Sequence, residues 1–431
     1  MTTLYRPLAA FASASAAPDP LALRIARLSA IDWMAVGLAG RDEDAAKILR
    51  GVLAAEAGQG AAHGFGLSAP LPARDAAWLN GTTSHALDYD DTHFAHIGHP
   101  SVAVFPAAMA MGEAQDMGLS KVIEAALIGM ELSVRVGLWL GRDHYQVGFH
   151  QTATAGAFGA TAAAGRLAGL TGAAMEQALG LAATQAAGLK AQFGTMGKPL
   201  NAGLAARTGV EAAVLVAGGF TSSPEALDGP FGFGATHHGA ADGQALDGLG
   251  DTWLFEQVSH KFHACCHGLH AALEALRDLD LAGPEIARLT VHTHPRWMSV
   301  CNQPAPTTGL GAKFSYRTAL AMALAGHDTA RLDTYTEALC TDPAVIALRD
   351  RIEVQEDASL DETQARLDAL LRNGARKQAE HDLNARVPID AREHRVLAKA
   401  AALVGDKTVG RITQLIDSDA PARDLGALMV V

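Results

Sequence analysis

The chain predicts a mainly α protein, with a large all-helical domain and a smaller α+β domain. Three observations carry this reading. Apolar residues such as Leu23, Ile25, Ala26, Leu28 and Ile31 recur near a 3.6-residue period. The runs QTATAGAFGATAAAGRLAGL and MEQALGLAATQAAGL are striped with Ala and Gly, and small side chains let helices approach closely. After residue 285 the period changes, and ARLTVHTH and RIEVQED alternate apolar with polar, as strands do. With 431 residues, 49% hydrophobic and 19% charged, the chain has material for more than one core.

Taken in order, MTTLYRPLAAFASASAAPDP lacks a basic stretch followed by an apolar core, so no signal peptide is expected. Residues 21–58 read as two helices, and 71–245 stay helical. Between 218 and 250 Gly and Pro are dense enough to mark loops. No phosphate-cradling G-x-x-x-x-G-K-[ST] occurs, nor G-x-G-x-x-G after a strand. FSYRTALAMALAG (314–326) and DETQARLDALLRNG (361–374) read as helices beside the two strands. AREHRVLAKAAALVG, from about residue 390, is helical again and is expected to return to the first domain. The expected division is therefore 1–250, 251–390 and 391–431. No 18-residue apolar run is free of charge or proline, so no membrane span is expected.

The net charge of −12 argues against nucleic acid and anionic membrane surfaces as partners. The four cysteines, Cys265, Cys266, Cys301 and Cys340, show no disulfide framework, which fits a reducing cytoplasm. They also lack the spacing of an iron–sulfur site.

Chemistry concentrates in four places. Residues 79–101, LNGTTSHALDYDDTHFAHIGHPS, hold four histidines and three aspartates. Titratable groups at that density are costly to bury unless something is bound or a proton is moved. On a helix ending near 92, His85, Asp88 and Thr92 would share a stripe, with His99 held extended before Pro100. Asp91 or Thr92 could instead cap helices, and Asp90 and His96 read as structural. His150, in YQVGFHQ, precedes a helix N-terminus, which favours its neutral, proton-accepting form; a capping role is the alternative. Lys198, in GTMGKPLNAGLAART, sits between glycines and could offer an ammonium to a carboxylate, or simply be solvated. In HKFHACCHGLH, His263, His267 and His270 would share a helical face, so a zinc site with Cys265 or Cys266 is an alternative. Lys261, on a loop before that helix, is the preferred residue there, and the cysteines read as small buried hydrophobes.

Together these segments, with KPLNAGLAARTGVEAA, KFHACCHGLHAALEAL and AKFSYRTALAMALAG, resemble the MmgE/PrpD family. That family includes 2-methylcitrate dehydratase, cis-aconitate decarboxylase and iminodisuccinate epimerase. The resemblance implies a helical domain with an inserted α+β lid, a homodimer, an active site at the domain interface, and no metal or organic cofactor. It carries the site pattern to Asp88, Thr92, His99, His150, Lys198 and Lys261. Where the decarboxylases have a tyrosine ahead of Asn-Arg-Pro, this chain reads Ser299-Val300-Cys301-Asn302-Gln303-Pro304, which favours a dehydratase or an epimerase.

The expected reaction is proton removal next to a carboxylate of a small di- or tricarboxylate. Lys198 and Lys261 would bind the substrate and neutralise the developing charge. His99 and His150 would be acid and base, Asp88 would orient a histidine, Thr92 would bind substrate, and Tyr145 is a further acid candidate. Hydroxide departure would make the enzyme a dehydratase, and proton return on the opposite face an epimerase. A metal hydrolase and a non-enzymatic scaffold are the readings from other classes.

Overall fold

The structure is a computed structural model describing residues 3–15, 18–55 and 57–430. It divides into two compact units, Met1–His260 with Val404–Val431, and Lys261–Leu403.

The first unit begins with α1 (Tyr5–Ser13), α2 (Pro20–Gly40) and α3 (Asp44–Ala54). Asp19 starts α2 by accepting from the N–H groups of Leu21 and Ala22, and Pro20 fits the first turn. A hairpin follows, β1 (Ala62–Gly64) and β2 (Leu67–Leu71), so the unit is helix-dominated and not all-helical. Its two-residue turn needs Gly66 at φ 75°. Then come α4 (Ala73–Ser84), α5 (Ser101–Ala114), α6 (Leu119–Gln146), α7 (Gln151–Leu167), α8 (Ala173–Ala183), α9 (Gly197–Ala217) and the short α10 (Phe233–Thr236). Helices α5 and α7 are buried along nearly their whole length, with α4, α6 and α9 packed around them.

The small residues are a steric requirement of this packing. A Cβ on Gly129 of α6 would lie 2.5 Å from the Gly159 carbonyl oxygen of α7. One on Gly81 of α4 would lie 2.8 Å from Gly203 Cα of α9. Helix α9 is long and apolar enough by length and composition to cross a bilayer, although it carries Lys198, Pro199, Arg207 and Glu211. However, 61% of that stretch is buried, and the helix packs on α4 and α7.

The second unit contains α11 (His270–Leu279), β3 (Ile286–Thr293), α12 (Arg296–Val300), α13 (Gly309–Ala312), α14 (Tyr316–Leu324), α15 (Glu337–Thr341) and α16 (Pro343–Arg349). It continues with β4 (Ile352–Glu356), β5 (Gln364–Leu371), β6 (Arg376–Asp382) and most of α17 (Ile389–Val404). The sheet order is β4-β3-β5-β6, parallel between β3 and β4 and otherwise antiparallel. Helix α11 packs on β5 and β6, and α14 on β4.

Three sequence expectations fail. Residues 364–371 form a strand, because Ala365, Leu367, Ala369 and Leu371 alternate into the core. Leu367, Leu370 and Leu371 had mimicked i, i+3, i+4 spacing. Helix α17 belongs to the second unit up to Leu403, so the chain returns at 404 and not at 391. Residues 261–266 are irregular, leaving only His270 of the three histidines in an α-helix.

Helices α18 (Asp406–Asp417) and α19 (Ala422–Gly426) complete the first unit. They bury Ile412, Leu415, Ile416 and Leu425, and the N–H of Leu119 donates to Ala420 O at 2.9 Å.

Candidate active site

Helix α4 ends at Ser84, so His85, Asp88 and Thr92 do not lie on one helical stripe. The chain instead folds back through an irregular segment before α5. Asp88 has φ 51° and Ile97 φ 53°, in the left-handed region. Aspartate tolerates that conformation; a β-branched residue there is strained, and such strain clusters at functional sites. The His93–Gly98 backbone bridge closes this turn. A Cβ on Gly98 would lie 2.8 Å from the Thr152 backbone nitrogen.

The turn assembles a chain of charged groups. Asp90, 1% exposed, faces His85 Nδ1 at 3.0 Å and His99 Nδ1 at 2.7 Å. Burial pushes the Asp90 carboxyl up, but the charges and hydrogen bonds of His85 and His99 outweigh it and hold it well below the usual carboxylate range. On the other side of His99, Nε2 is 3.6 Å from Asp88 Oδ1, which pairs with Lys198 Nζ at 2.8 Å. The rings of His85 and His99 meet edge to face with centroids 4.7 Å apart. The His99 N–H donates to Thr152 Oγ1 at the start of α7.

His150 immediately precedes α7 and stacks on His85 with centroids 6.0 Å apart. Its Nδ1 faces the Asn201 amide Nδ2 at 3.2 Å, and that amide also donates to Leu189 O. Burial, then the charges of His85, Lys198 and His99, hold the His150 pKa well below the ordinary imidazole value. His150 is therefore neutral, with Nδ1 accepting and Nε2 carrying the proton.

The structure thus brings together Asp88, His99, His150 and Lys198, and adds His85, Asp90 and Asn201. Asp90, read from sequence as structural, stands at His99 Nδ1, while Asp88, read as orienting a histidine, lies on the Nε2 side of the same ring. The signal available was two aspartates flanking the turn between His85 and His99; their spacing gave no way to rank them. Lys198 lies in the first turn of α9, not on a free loop. Thr92 is buried and pairs its backbone with Ser259. Tyr145 follows a break in α6 at Gly141, and its ring carries the Lys190 ammonium at 3.8 Å. Lys261 is buried in the second unit, close enough to act electrostatically on Cys265 and His270.

Beneath the site, Asp91 accepts from Ser29 Oγ and Ser101 Oγ, and Ser29 Oγ also contacts His260 Nε2 at 3.0 Å. Burial foremost, then Asp32 and Asp90, pushes the Asp91 carboxyl up to about 7 against the pull of Ser101 and Ser29.

Among the described residues, metal-ligand spacing is met by His85, Asp88, Asp90 and His99. A cation there would compete with the Lys198 ammonium on Asp88 and with both histidine contacts to Asp90. The zinc alternative at His263, Cys265, Cys266, His267 and His270 does not assemble. His263 spends Nδ1 on Thr329 and Nε2 on Glu274, which is also paired with Arg395 and Arg277.

Comparison with known proteins gives the same family at both units. The MmgE/PrpD N-terminal domain matches residues 6–244, and the MmgE/PrpD C-terminal domain matches 263–403. Cis-aconitate decarboxylase of Aspergillus terreus is 34% identical over 242 residues, covering 53% of this chain and 49% of that protein. Human cis-aconitate decarboxylase is 29% identical over 303 residues, covering 66% and 62% respectively. The mouse protein of the same name is 32% identical over 231 residues, covering 50% and 46%. The matched region thus spans about half to three-fifths of these curated relatives. With family models matching most of its length, the chain belongs to the MmgE/PrpD family.

Proposed function

We propose that the protein is a lyase acting on a small di- or tricarboxylate by proton transfer at a carbon next to a carboxylate, with 2-methylcitrate-type dehydration as the leading reaction. The observation that carries the reading is His99 poised between Asp90 and the Asp88–Lys198 pair. A carboxylate on Nδ1 fixes the tautomer and leaves Nε2 as the proton-transferring atom. His99 is therefore the base. His150, neutral and with Nε2–H, is a hydrogen-bond donor to the charge that develops when the proton leaves. Lys198 supplies positive charge, shared with Asp88 until a substrate carboxylate competes for it. Thr92 as a substrate contact, Lys261 as a second cation and Tyr145 as an acid rest on the family resemblance, as does a homodimer. No step in this scheme needs a metal or an organic cofactor.

Cis-aconitate decarboxylation is the second reading, favoured by the names of the relatives. The absence of a tyrosine in Ser299–Pro304 weighs against it. Epimerisation uses the same proton transfer and differs only in the face of return.

Proton NMR in heavy water with EDTA separates these outcomes. The panel is cis-aconitate, methylcitrate isomers, citrate and iminodisuccinate. Deuterium uptake next to a carboxylate that disappears in His99→Gln supports the reading, and the product names the reaction. No exchange with any compound, or unchanged exchange in His99→Gln, overturns it.

A further inference from the structure

The second unit places two thiols where the proposed proton chemistry makes no use of them. Cys301 Sγ donates to Cys266 Sγ at 3.3 Å, and neither cysteine is in a disulfide. A disulfide needs about 2.05 Å between sulfurs, so side-chain rotation has a little over 1 Å to close. Both backbones are anchored by hydrogen bonds. The Cys266 N–H donates to Lys313 O at 2.9 Å, the Cys301 N–H to Trp297 O at 2.8 Å, and Cys301 O accepts from the Tyr316 N–H at 3.0 Å. Gly268 leaves room for the pair, since a Cβ there would sit 3.0 Å from Cys301 Sγ. Cys301 is fully buried and Cys266 is partly exposed, so a small oxidant reaches Cys266 first.

The electrostatics select the same order. The hydrogen bond to Cys266, then burial, raises the Cys301 pKa and keeps its proton in place. Burial also pushes the neighbouring Cys265 up to about 12, so the pKa shifts do not choose between Cys265 and Cys301 as the partner of Cys266; the 3.3 Å contact of Cys301 Sγ with Cys266 Sγ does. Cys340 is apart, donating to Thr308 O.

We propose that Cys266 and Cys301 form a peroxide-sensitive dithiol whose reversible disulfide ties the loop carrying Lys261 to the end of α12. The Cys266 sulfur attacks a hydroperoxide, the O–O bond breaks, and an alcohol or water leaves as Cys266 becomes a sulfenic acid. The Cys301 sulfur then attacks Cys266, the S–O bond breaks, and the departing hydroxide takes the Cys301 proton as water. Two thiols and one hydroperoxide give one disulfide, one alcohol (or water) and one water; an external thiol reverses the change.

The test treats the full chain with hydrogen peroxide and maps peptides without reduction. Two of the four thiols are expected to disappear, with a Cys266–Cys301 linked peptide that dithiothreitol removes. The melting midpoint should rise by a few degrees on oxidation and fall back on reduction. In Cys301→Ser, Cys266 should stop at a sulfenic acid trapped by dimedone. Because Cys301 is buried, the wild-type peptide map decides the matter if that variant does not fold. A dominant Cys265–Cys266 or intermolecular link, or oxidation of Cys266 no faster than that of Cys340, overturns the proposal.

Discussion

A carboxylate at zero to one per cent exposure keeps its charge only if its partners outweigh desolvation, and Asp90 and its neighbour Asp91 resolve that competition in opposite ways. Asp90 faces two imidazoles and stays ionised, while Asp91 faces two hydroxyls and rises to about 7. Asp90→Asn keeps the shape but removes the negative charge that stands 2.7 Å from His99 Nδ1. Turnover should fall about a hundredfold or more, with KM changed far less, in steady-state kinetics. Lys198→Met should cost roughly 3 kcal/mol of transition-state stabilisation, again about a hundredfold. Asp91 carries a stability prediction with a definite sign. Its folded pKa lies above its unfolded one, so the folded chain holds a proton that the unfolded chain releases between about pH 4 and 7. The contribution is full below that window and is lost as pH rises through 7, by up to about 4 kcal/mol. Asp91→Asn should flatten the fall in melting temperature between pH 5.5 and 8; parallel curves for the two proteins would refute the assignment. At this scale the sequence exposed the residue types well. His99, His150 and Lys198 were legible because imidazoles and a lysine beside glycines and prolines have little structural purpose. The choice between Asp88 and Asp90 was not, since it depends on which way a left-handed residue turns the chain.

The segment between α4 and α5 shows why element boundaries mattered more than element types. His85, Asp88 and Thr92 match a helical stripe in sequence, yet α4 ends at Ser84 and Asp88 at φ 51° turns the chain further from helical geometry. The same spacing ambiguity turned residues 364–371 from an expected helix into the strand β5, because each Leu is compatible with either period until a pairing strand on each side is known. The long small-residue helices were legible throughout, since close helix approach admits few other side chains. The turn at Gly98 makes this scale testable. Alanine there places its Cβ 2.7 Å from His96 Cε1 and 2.8 Å from the Thr152 nitrogen, and the second of these is backbone that cannot rotate away. Gly98→Ala should cost about 1–3 kcal/mol in denaturant unfolding. It should also lower turnover, because His99 is the next residue and donates to Thr152. Full activity in a destabilised Gly98→Ala protein would separate the turn from the site.

At the scale of the whole molecule, the first unit is built from two stretches of chain that are far apart in sequence. The return after residue 404 is short, but its side chains are core. Ile412, Leu415, Ile416, Leu425 and Met429 are all at most 4% exposed. The backbone is stitched in as well, with the Ala422 N–H donating to Met117 O and the Gly66 N–H to Met429 O, both at 2.8 Å. Each such apolar side chain contributes roughly 1.5–3 kcal/mol on burial, so the five together reach on the order of 10 kcal/mol. That is the scale of a whole domain's stability, about 5–15 kcal/mol. A chain ending at Leu403 should therefore lose the first unit's cooperative fold, while the second, whose sheet and α11 lie wholly within 261–403, keeps its own. Hydrogen exchange reads the two separately. Amides of α5 and α7 should exchange rapidly in the truncated chain, and those of β3 and β5 should stay protected. Continued protection of α5 and α7 would mean that the C-terminal helices are an appendage to a core already complete at His260.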